Sequence, residues 1–441
     1  MLPDRIAFEK LRRLCDISAK LWNEVNYVRR RMFFETKKID LRGTYREFYE
    51  KYKRLIGSAT TQQILNKNDE AWRSFFSLLK AKKEGKLPPF TRKVNPPGYR
   101  KRGGRRVLWT VLRNDQYKID GDYIIIKGLG AVGSLRIKYS GRIHIRGKQG
   151  RAEIRYDLDQ RRWYIHVSYE VEEKTIRNTV VKVPQEPLGD KTAGVDVGVN
   201  NLLAVYVEDG SAMLVSGRPL KAISFYWRSR IAEYQSTLNR YGLKTSRRLR
   251  LMFKRWRRQI RSYIDWAVRN TIEWLYQRGV RRIYVGYPKY VAQEPSKSSK
   301  ANFEIVHVWS YGYLLRRLEE VGEEYGMEVV LREEAYTSTT CPLCRTHIGH
   351  RRVTRGLLKC YKYNKVFNAD LVGAFNMIPK PITPSPALSG VGVTGPETRP
   401  GAKPGKSREC SPKPPSPEGE SSPFGAGRRS APRLRLSYYS L

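Results

Sequence analysis

The chain has 441 residues and a formal net charge of +43 at pH 7, from 85 Lys and Arg against 42 Asp and Glu. Such a basic surplus indicates a nucleic-acid partner and steeply salt-dependent binding, and the length predicts about three domains. No apolar run approaches the roughly 20 residues that span a bilayer, and the N-terminus lacks the apolar core of a signal peptide. We therefore expect a cytoplasmic, prokaryotic protein, and its many Arg, Lys and Tyr residues suit a thermophilic, archaeal host.

Residues 1–106 are predicted to form a helical, basic lobe. Apolar residues recur at helical spacing over residues 11–28. Thr60 and Gln63 have the spacing of a capping box, which predicts that a second helix begins near Thr60. Prolines end the helical pattern and an arginine-rich segment follows. In that segment we predict nucleic-acid contacts by Tyr99, Arg100 and Arg102.

Residues 107–185 are predicted to form a small antiparallel β-barrel or sheet. Alternating apolar and polar residues indicate strands at residues 123–126 and 135–139. Two further strands, at residues 153–156 and 163–167, are separated by a short polar turn, which predicts a hairpin.

Residues 186–379 are predicted to form an α/β domain, because strands alternate with helices along the chain. Residues 193–207 indicate one apolar strand, with a hairpin partner at residues 213–215. Later strands are predicted at residues 283–285 and 329–331, and later helices at residues 309–325 and from Asp370 onward. Residues 380–441 are rich in Pro, Ser and Gly without periodicity, so we predict a disordered tail.

A long helix is predicted over residues 247–275, with one apolar stripe and another face crowded with arginines. Like charges one turn apart repel, so a merely solvated face rarely concentrates one sign of charge. This pattern favours a helix that binds a nucleic-acid backbone. The residues selected for that role are Arg248, Arg255 and Arg258.

Two aspartates carry the candidate chemistry. Asp196 lies among apolar residues and glycines, where an ionised carboxylate is costly unless it is paired or bound to metal; the alternative is a turn residue at a strand end. Asp370 opens the last helix, where an aspartate by itself is more simply a cap. Together they match the layout of an RNase H-like nuclease, and their oxygen ligands favour Mg²⁺ or Mn²⁺.

Three of the five cysteines lie in one short stretch, which suggests a metal site rather than disulfides: Cys341, Cys344 and Cys360. The second Cys-x-x-Cys pair is incomplete, because Tyr363 stands at its last position. His347 or His350 would complete a zinc site in a zinc-ribbon-like insertion over residues 339–366. The alternative is a decayed ribbon that no longer binds zinc.

The order of several motifs resembles the TnpB family, also called OrfB transposase. The motifs are Gly-Val-Asp-Val-Gly-Val-Asn-Asn-Leu at residues 194–202, Tyr-Thr-Ser-Thr-Thr-Cys-x-x-Cys at residues 336–344, and Asn-Ala-Asp at residues 368–370. The resemblance implies a recognition lobe, a wedge-like barrel and a RuvC-like nuclease domain with an inserted zinc ribbon. It also implies a DNA endonuclease that uses a guide RNA from the transposon end and reads a short flanking motif on double-stranded DNA.

Three departures from the family pattern affect this interpretation. The family's second motif has a glutamate where this chain has Gly286, so we predict that Glu334 supplies the third Mg²⁺ ligand beside Asp196 and Asp370. Glu333, Glu294 and a crippled site are the alternatives. The fourth zinc position also departs, and the chain starts almost directly with its first helix, so a first barrel strand is either absent or truncated. A catalytically silent RNA-guided DNA binder and a compact type V CRISPR effector remain alternative functions.

Overall fold

A computed structural model describes residues 1–87, 93–102, 104–141, 145–176, 179–287, 310–333, 340–345, 350–354, 356–379 and 437–439. The chain divides into two compact units. The first unit comprises Met1–Leu188, Leu220–Tyr276 and Ala292–Glu328, and the second comprises Gly189–Pro219, Gln277–Val291 and Val329–Leu441. The domain boundaries drawn from the sequence stay predictions. Among the described helices, none is long and apolar enough to cross a membrane.

The helices of the first unit are α1 Arg5–Thr36, α2 Leu41–Ile56, α3 Ser58–Lys83, α4 Arg218–Arg240, α5 Arg247–Gln277 and α6 Tyr311–Glu324. The start of α1 is capped by Asp4, whose carboxylate accepts a hydrogen bond from the backbone N of Ala7 at 2.7 Å. The predicted helices over residues 11–28, 247–275 and 309–325 are confirmed. The helices α2 and α4 were not singled out by periodicity.

The predicted capping box at Thr60 is wrong. Helix α3 begins at Ser58 after Gly57, without a side-chain cap. Thr60 is fully buried inside the helix and its hydroxyl accepts a hydrogen bond from Gln116 at 2.9 Å. A motif with the right spacing therefore serves packing between elements and not the helix end.

The strands of the first unit are β1 Lys101–Arg102, β2 Arg105–Arg106, β3 Trp109–Leu112, β4 Tyr117–Asp120, β5 Tyr123–Ile126, β6 Leu135–Lys138, β7 Ile145–Asp157, β8 Arg162–Ile176 and β9 Thr179–Lys182. They form a β1–β2 ribbon, an antiparallel sheet in the order β3-β7-β8-β9, and a second antiparallel sheet in the order β4-β5-β6. One apolar core joins α1, α2 and α3 to the two larger sheets. Closure of these sheets into a barrel stays a prediction.

The second unit contains β10 Lys191–Asp196, β11 Asn201–Val207, β12 Ala212–Ser216, β13 Val280–Tyr287, β14 Glu328–Glu333, β15 His350–Thr354, β16 Leu357–Cys360, β17 Lys365–Asn368, α7 Ala369–Met377 and β18 Ser437–Tyr439. Its main sheet has the order β14-β13-β10-β11-β12-β18. Strands β10, β11 and β12 are antiparallel neighbours, whereas β13 runs parallel to β10. The remaining three strands form a small sheet in the order β15-β16-β17.

The single strand predicted over residues 193–207 is wrong, because the chain reverses inside it. Strand β10 ends at Asp196, which pairs with Ala204 of the antiparallel strand β11. At the turn, the backbone N of Gly198 donates to the carbonyl oxygen of Leu202 at 3.4 Å. Apolar residues on both sides of this turn make the two strands look continuous in sequence. The correction places Asp196 at a strand end, the position where a side chain can reach a site.

Of the tail that we predict to be disordered, the structure describes Ser437–Tyr439, which pair as a strand with the edge of the main sheet along β12. The rest of that tail lies outside the described residues, and there the prediction stays a prediction.

Candidate functional site

The position of Asp196 depends on an unusually close approach of α7 to β10. A Cβ atom added at Gly194 would lie 1.9 Å from the carbonyl oxygen of Ala374 in α7. Only glycine leaves room for this contact between the two backbones. Gly194 therefore brings α7 against the strand whose last residue is Asp196, and the Asp196 side chain is half-buried there.

Asp370 lies in the first turn of α7 but does not cap the helix. The cap is Asn368, whose side-chain oxygen accepts hydrogen bonds from the backbone N of Asp370 at 3.0 Å and of Leu371 at 3.2 Å. The Asp370 carboxylate instead accepts a hydrogen bond from the amide of Asn201 at 2.7 Å. The simpler interpretation of Asp370 as a cap is therefore wrong, and its carboxylate is held by a residue at the start of β11.

Gly373 shows that the two aspartates converge. A Cβ atom added at Gly373 would lie 3.1 Å from the Cγ and Oδ2 atoms of Asp196. Residues three apart on a helix share a face, so Asp370 lies on the face of α7 that meets Asp196. Two carboxylates gathered in this way are a suitable donor set for a hard cation such as Mg²⁺.

The neighbouring strand explains what the departure at Gly286 means. Val285 of β13 pairs with Val195 of β10 in parallel register, so the next position places Gly286 beside Asp196. A glutamate at that position would extend toward the same place, and glycine has no side chain to offer. In the sequence, Glu334 follows directly after β14. Glu334 and Glu294 both lie outside the described residues. Glu333 is the last residue of β14, and the third ligand stays a prediction.

The three clustered cysteines do come together. Their sulfur atoms all lie within 4.8 Å of one another, and the side chains of Cys341 and Cys360 are fully buried while Cys344 is half-buried. Burial, together with the neighbouring thiols, raises the pKa of Cys341 to about 11. A buried thiol ionises readily only with a cation beside it, and three convergent sulfurs are the donor set of a structural zinc site.

The pairing of strands β15 and β16 bears on which residue supplies the fourth zinc ligand. Tyr363 is about half exposed. His350 in β15 is the register partner of Cys360 in β16. His347 lies outside the described residues, and nothing further is described of the side chain of His350.

The cysteine module, residues 340–345, 350–354 and 356–368, shares its apolar core with α7. The amide of Asn376 in α7 donates to the carbonyl oxygen of Thr340 at 2.8 Å. The ring of Phe375 packs edge-on against Tyr206 of the main sheet, with centroids 5.2 Å apart. The helix that carries Asp370 is thus fixed between the sheet and the cysteine module.

The predicted nucleic-acid contacts in the segment before β1 have different surroundings. Arg100 is largely buried, with its guanidinium 4.6 Å from the Trp22 ring centroid and 4.1 Å from that of Trp109. Desolvation lowers the pKa of Arg100. Tyr99 is 40% exposed, with the guanidinium of Arg30 over its ring at 5.5 Å. Tyr99 is therefore available to a ligand, whereas Arg100 has a structural environment.

The arginines of α5 face two different surfaces. Arg248 and Arg255 are exposed beside α4, and Arg248 lies over the ring of Tyr234 at 4.8 Å. Arg258 lines a separate groove with Arg102, formed by α5 and the β7–β8 hairpin. These four arginines and Tyr99 thus lie on more than one surface of the first unit.

Two parts of the site were missed in the sequence. Asn201 stands inside the motif at residues 194–202, but no pattern assigned it the role of holding Asp370. Asp157 and Asp159 lie in the turn of the β7–β8 hairpin and hold basic residues of α5. The available signal was the pair of aspartates, two residues apart, in the short polar turn that the sequence predicts between the two strands.

Comparison with known proteins agrees with the resemblance. The family model OrfB_IS605, described as a probable transposase, matches residues 166–292, and the Cas12f1-like TNB domain matches residues 311–377. The chain is 38% identical over 403 residues to the TnpB-like protein ORF457 of Acidianus two-tailed virus, covering 87% of this chain and 85% of that protein. The protein belongs to the TnpB family.

A solved structure shares the fold. The chain resembles the protein in the cryo-EM structure of the Cas12f1–sgRNA–target DNA complex with a TM-score of 0.53, at 15% identity, over 83% of this chain and 81% of that one. This chain therefore shares its mixed arrangement of helices and sheets with the Cas12f1 protein of that structure.

Proposed function

We propose that the protein is an RNA-guided DNA endonuclease of the TnpB type, with an RNase H-like, RuvC-type catalytic domain. The observation that carries this proposal is the convergence of Asp196 and Asp370, which Gly194 and Gly373 make possible. The sheet supports it, because an antiparallel β10-β11-β12 meander beside a parallel β13 is the arrangement expected of an RNase H-like core. An aspartate at the end of the first strand and another at the start of the last helix complete the pattern.

The residues that would hold the catalytic metals are Asp196, Asp370 and Glu334. Two Mg²⁺ ions, when bound, activate a water molecule and stabilise the leaving oxygen of the phosphodiester. The chain contributes the positions of the ligands. Asn201 fixes the orientation of the Asp370 carboxylate through its amide, and Asn368 satisfies the helix start so that this carboxylate stays free for the site.

The proposed partners are a guide RNA from the transposon end and a double-stranded DNA target with a short flanking motif. Base pairing with the guide supplies the sequence specificity, so the protein itself needs only backbone contacts and a short motif to read. The net charge of +43 supports a role in holding two nucleic acids. The similar Cas12f1 structure is a complex with sgRNA and target DNA.

We further propose that zinc is bound by Cys341, Cys344, Cys360 and His350. Residues directly opposite in an antiparallel pair have Cα atoms about 5 Å apart. His350 is paired with Cys360, which favours it over His347. Metal analysis of purified protein tests this: His350→Ala should lower the zinc content, whereas His347→Ala should leave it unchanged. The opposite pattern would assign the site to His347.

The function is tested by plasmid cleavage with protein co-expressed with RNA from its own locus, on a target with a randomised flank. Mg²⁺-dependent cleavage beside one enriched flanking motif is the expected result. Glu334→Ala should abolish it, and Glu333→Ala is the matched control for the neighbouring carboxylate. Cleavage that survives Glu334→Ala but not Glu333→Ala would assign the third metal ligand to Glu333 instead.

A second candidate function is that of a catalytically silent RNA-guided DNA binder, because Gly286 beside Asp196 supplies no metal ligand. The same experiment separates the two functions, because the silent binder would retain RNA and target DNA without cutting. A gel-shift measurement with a Mg²⁺ titration distinguishes this outcome from failed assembly.

A further inference from the structure

A groove of about 730 Å³ lies in the first unit between α5 and the end of the β7–β8 hairpin. Exposed arginines line both of its walls. Arg155 belongs to the hairpin wall, and Arg257, Arg258 and Arg261 belong to α5. Among the described residues, these four arginines have no carboxylate within ion-pair distance. They are therefore available to an anionic ligand from two sides.

Aromatic side chains accompany these charges. Tyr156, Tyr164 and Tyr313 line the same groove, and the guanidinium of Arg261 lies over the Tyr313 ring, 5.0 Å from its centroid. Cations that contact phosphates, interleaved with rings on which bases stack, are the combination that proteins use for single-stranded nucleic acid. An acidic peptide would use the arginines but would make no base-stacking contact with the exposed parts of these half-buried rings.

The two walls are held together by the acidic turn of the hairpin. The carboxylate of Asp159 is 1% exposed and accepts from Arg250 Nε at 2.6 Å and Lys254 Nζ at 2.9 Å. Its backbone carbonyl accepts from Arg247 Nε at 2.7 Å. Burial by itself would raise the pKa of Asp159, but these hydrogen bonds outweigh it and lower the pKa to about 2. The carboxylate therefore stays ionised.

Asp157 gives this turn its shape and a second attachment to α5. Its carboxylate accepts from the backbone N of Asp159 at 2.9 Å and of Gln160 at 3.0 Å. It also accepts from Lys254 Nζ at 2.6 and 2.7 Å. The turn is thus bound to one face of α5. Arg102, which also lines the groove, pairs with Asp159 at 3.4 Å, whereas Arg155 and the three exposed arginines of α5 stay unpaired by the turn.

We propose that this groove binds the single-stranded phosphodiester backbone of the guide RNA, and that the Asp157 and Asp159 clamp sets its width. The assignment to guide RNA rests on the proposed function. The clamp explains why acidic residues stand in the middle of a basic surface. They do not bind the ligand; they hold the hairpin wall at a distance from α5 where arginines of both walls reach one strand.

The groove arginines are tested by fluorescence anisotropy with oligouridylate and oligothymidylate probes of about 20 nucleotides, long enough for several phosphate contacts. The variant Arg155→Ala with Arg258→Ala removes one exposed arginine from each wall. RNA binding should weaken by about tenfold to a hundredfold, and the slope of log K against log salt should fall by about 1.4. The control, Arg31→Ala with Arg281→Ala, removes two arginines that are already paired with Glu35 and Asp190, and should change neither quantity.

The clamp is tested by Asp159→Asn. A surface that acted only through its charge would bind RNA more tightly after losing a negative charge, because the net positive charge rises. A groove whose width depends on the clamp should bind RNA about tenfold more weakly, since charged hydrogen bonds that hold its walls are lost. Circular dichroism confirms that the variant is folded. If it is not, the Arg155 and Arg258 variant decides, because those side chains have no described partner to lose.

Several outcomes would overturn the proposal. Unchanged or tighter RNA binding in Asp159→Asn would show that the clamp does not set the width of the groove. Unchanged RNA binding in the double arginine variant would show that the groove does not bind RNA. An effect on the DNA probe alone would reassign the groove to the target strand. If the wild-type protein bound the DNA probe but no RNA, the proposed function itself would be wrong. If RNA-guided cleavage were intact and the variants bound RNA as tightly as the wild type, only the assignment of the groove would be wrong.

Discussion

The carboxylate pair in the second unit and the groove in the first unit each gather side chains of one charge, but they do so by different means. Around the groove, the chain supplies the opposite charge itself, through Asp157 and Asp159. At the carboxylate pair, the Asp370 carboxylate accepts a hydrogen bond from the neutral amide of Asn201, and glycines bring the elements together. Contacts within the chain therefore organise the groove before any ligand arrives, whereas we propose that the carboxylate pair is organised by a bound cation.

The strongest test of this difference is removal of a carboxylate. Asp370→Asn should lower DNA cleavage by about a thousandfold, or ~4 kcal/mol of barrier, because the site loses a metal ligand. Binding of guide RNA and target should remain, since the basic surfaces are unchanged. Asp190→Asn, an exposed residue of the same unit, is the control. A loss of RNA binding in Asp370→Asn would contradict the separation of the two regions.

The next test concerns the close packing of α7 on β10. Gly194→Ala should destabilise the protein by about 3 kcal/mol and reduce cleavage, because the new methyl group would meet a backbone oxygen at 1.9 Å. Urea unfolding measures the first effect. The control is Gly312→Ala in α6, where a Cβ would meet nothing within 4 Å, and where alanine should stabilise the helix slightly. Equal stability in both variants would show that the contact is not needed.

The clamp makes the stability of the protein depend on pH in a way that can be measured. The folded-state pKa of Asp159, about 2, lies below that of an unfolded aspartate, about 3.9. The ionised carboxylate therefore contributes about 2 kcal/mol to the free energy of unfolding above pH 4, and this contribution is lost as the pH falls toward 2. The stability gap between wild type and Asp159→Asn should close over that range.

An exposed ion pair gives the control for this pH dependence. Asp115 pairs with Arg113 at 2.6 Å with its side chain 56% exposed, so Asp115→Asn should change stability by no more than about 1 kcal/mol. A gap for Asp159→Asn that stayed constant from pH 6 to 2 would contradict the role of its ionised carboxylate.

The smallest expected effect is on the orientation of a ligand. Asn201→Ala should reduce cleavage by about tenfold, as the loss of a partner that orients a metal ligand commonly does. The apparent Mg²⁺ requirement should rise at the same time, which a purely structural role would not produce. Asn200→Ala, the adjacent asparagine, is the comparison. Identical Mg²⁺ dependence in wild type and Asn201→Ala would leave Asn201 with a structural role alone.

Long periodic elements were predictable because their patterns are local. The helix over residues 247–275 and the strands at residues 123–126 and 329–331 are present as predicted. The turn inside residues 193–207 was not, because apolar residues continue on both sides of it. Thr60 had the spacing of a cap, but burial against Gln116 decided its role.

The site divides in the same way. Asp196, Asp370 and the three cysteines could be selected from the sequence, since buried carboxylates and clustered thiols imply a ligand whatever the fold. Their convergence could not, because it depends on contacts between residues distant in the chain. Gly194 meets Ala374, 180 positions further along the chain, and Asn201 meets Asp370, 169 positions further along.

By itself, the sequence determined the class of the protein, its need for a polyanionic partner and the identity of its candidate ligands, because charge, residue chemistry and motif order are properties of the chain. Only the tertiary structure decided which of the basic residues are available. Arg100 is enclosed by two indole rings and Arg250 by a buried carboxylate, whereas Arg258 faces an open groove. The same guanidinium group is structural or functional according to what surrounds it, and that is set by packing between distant segments.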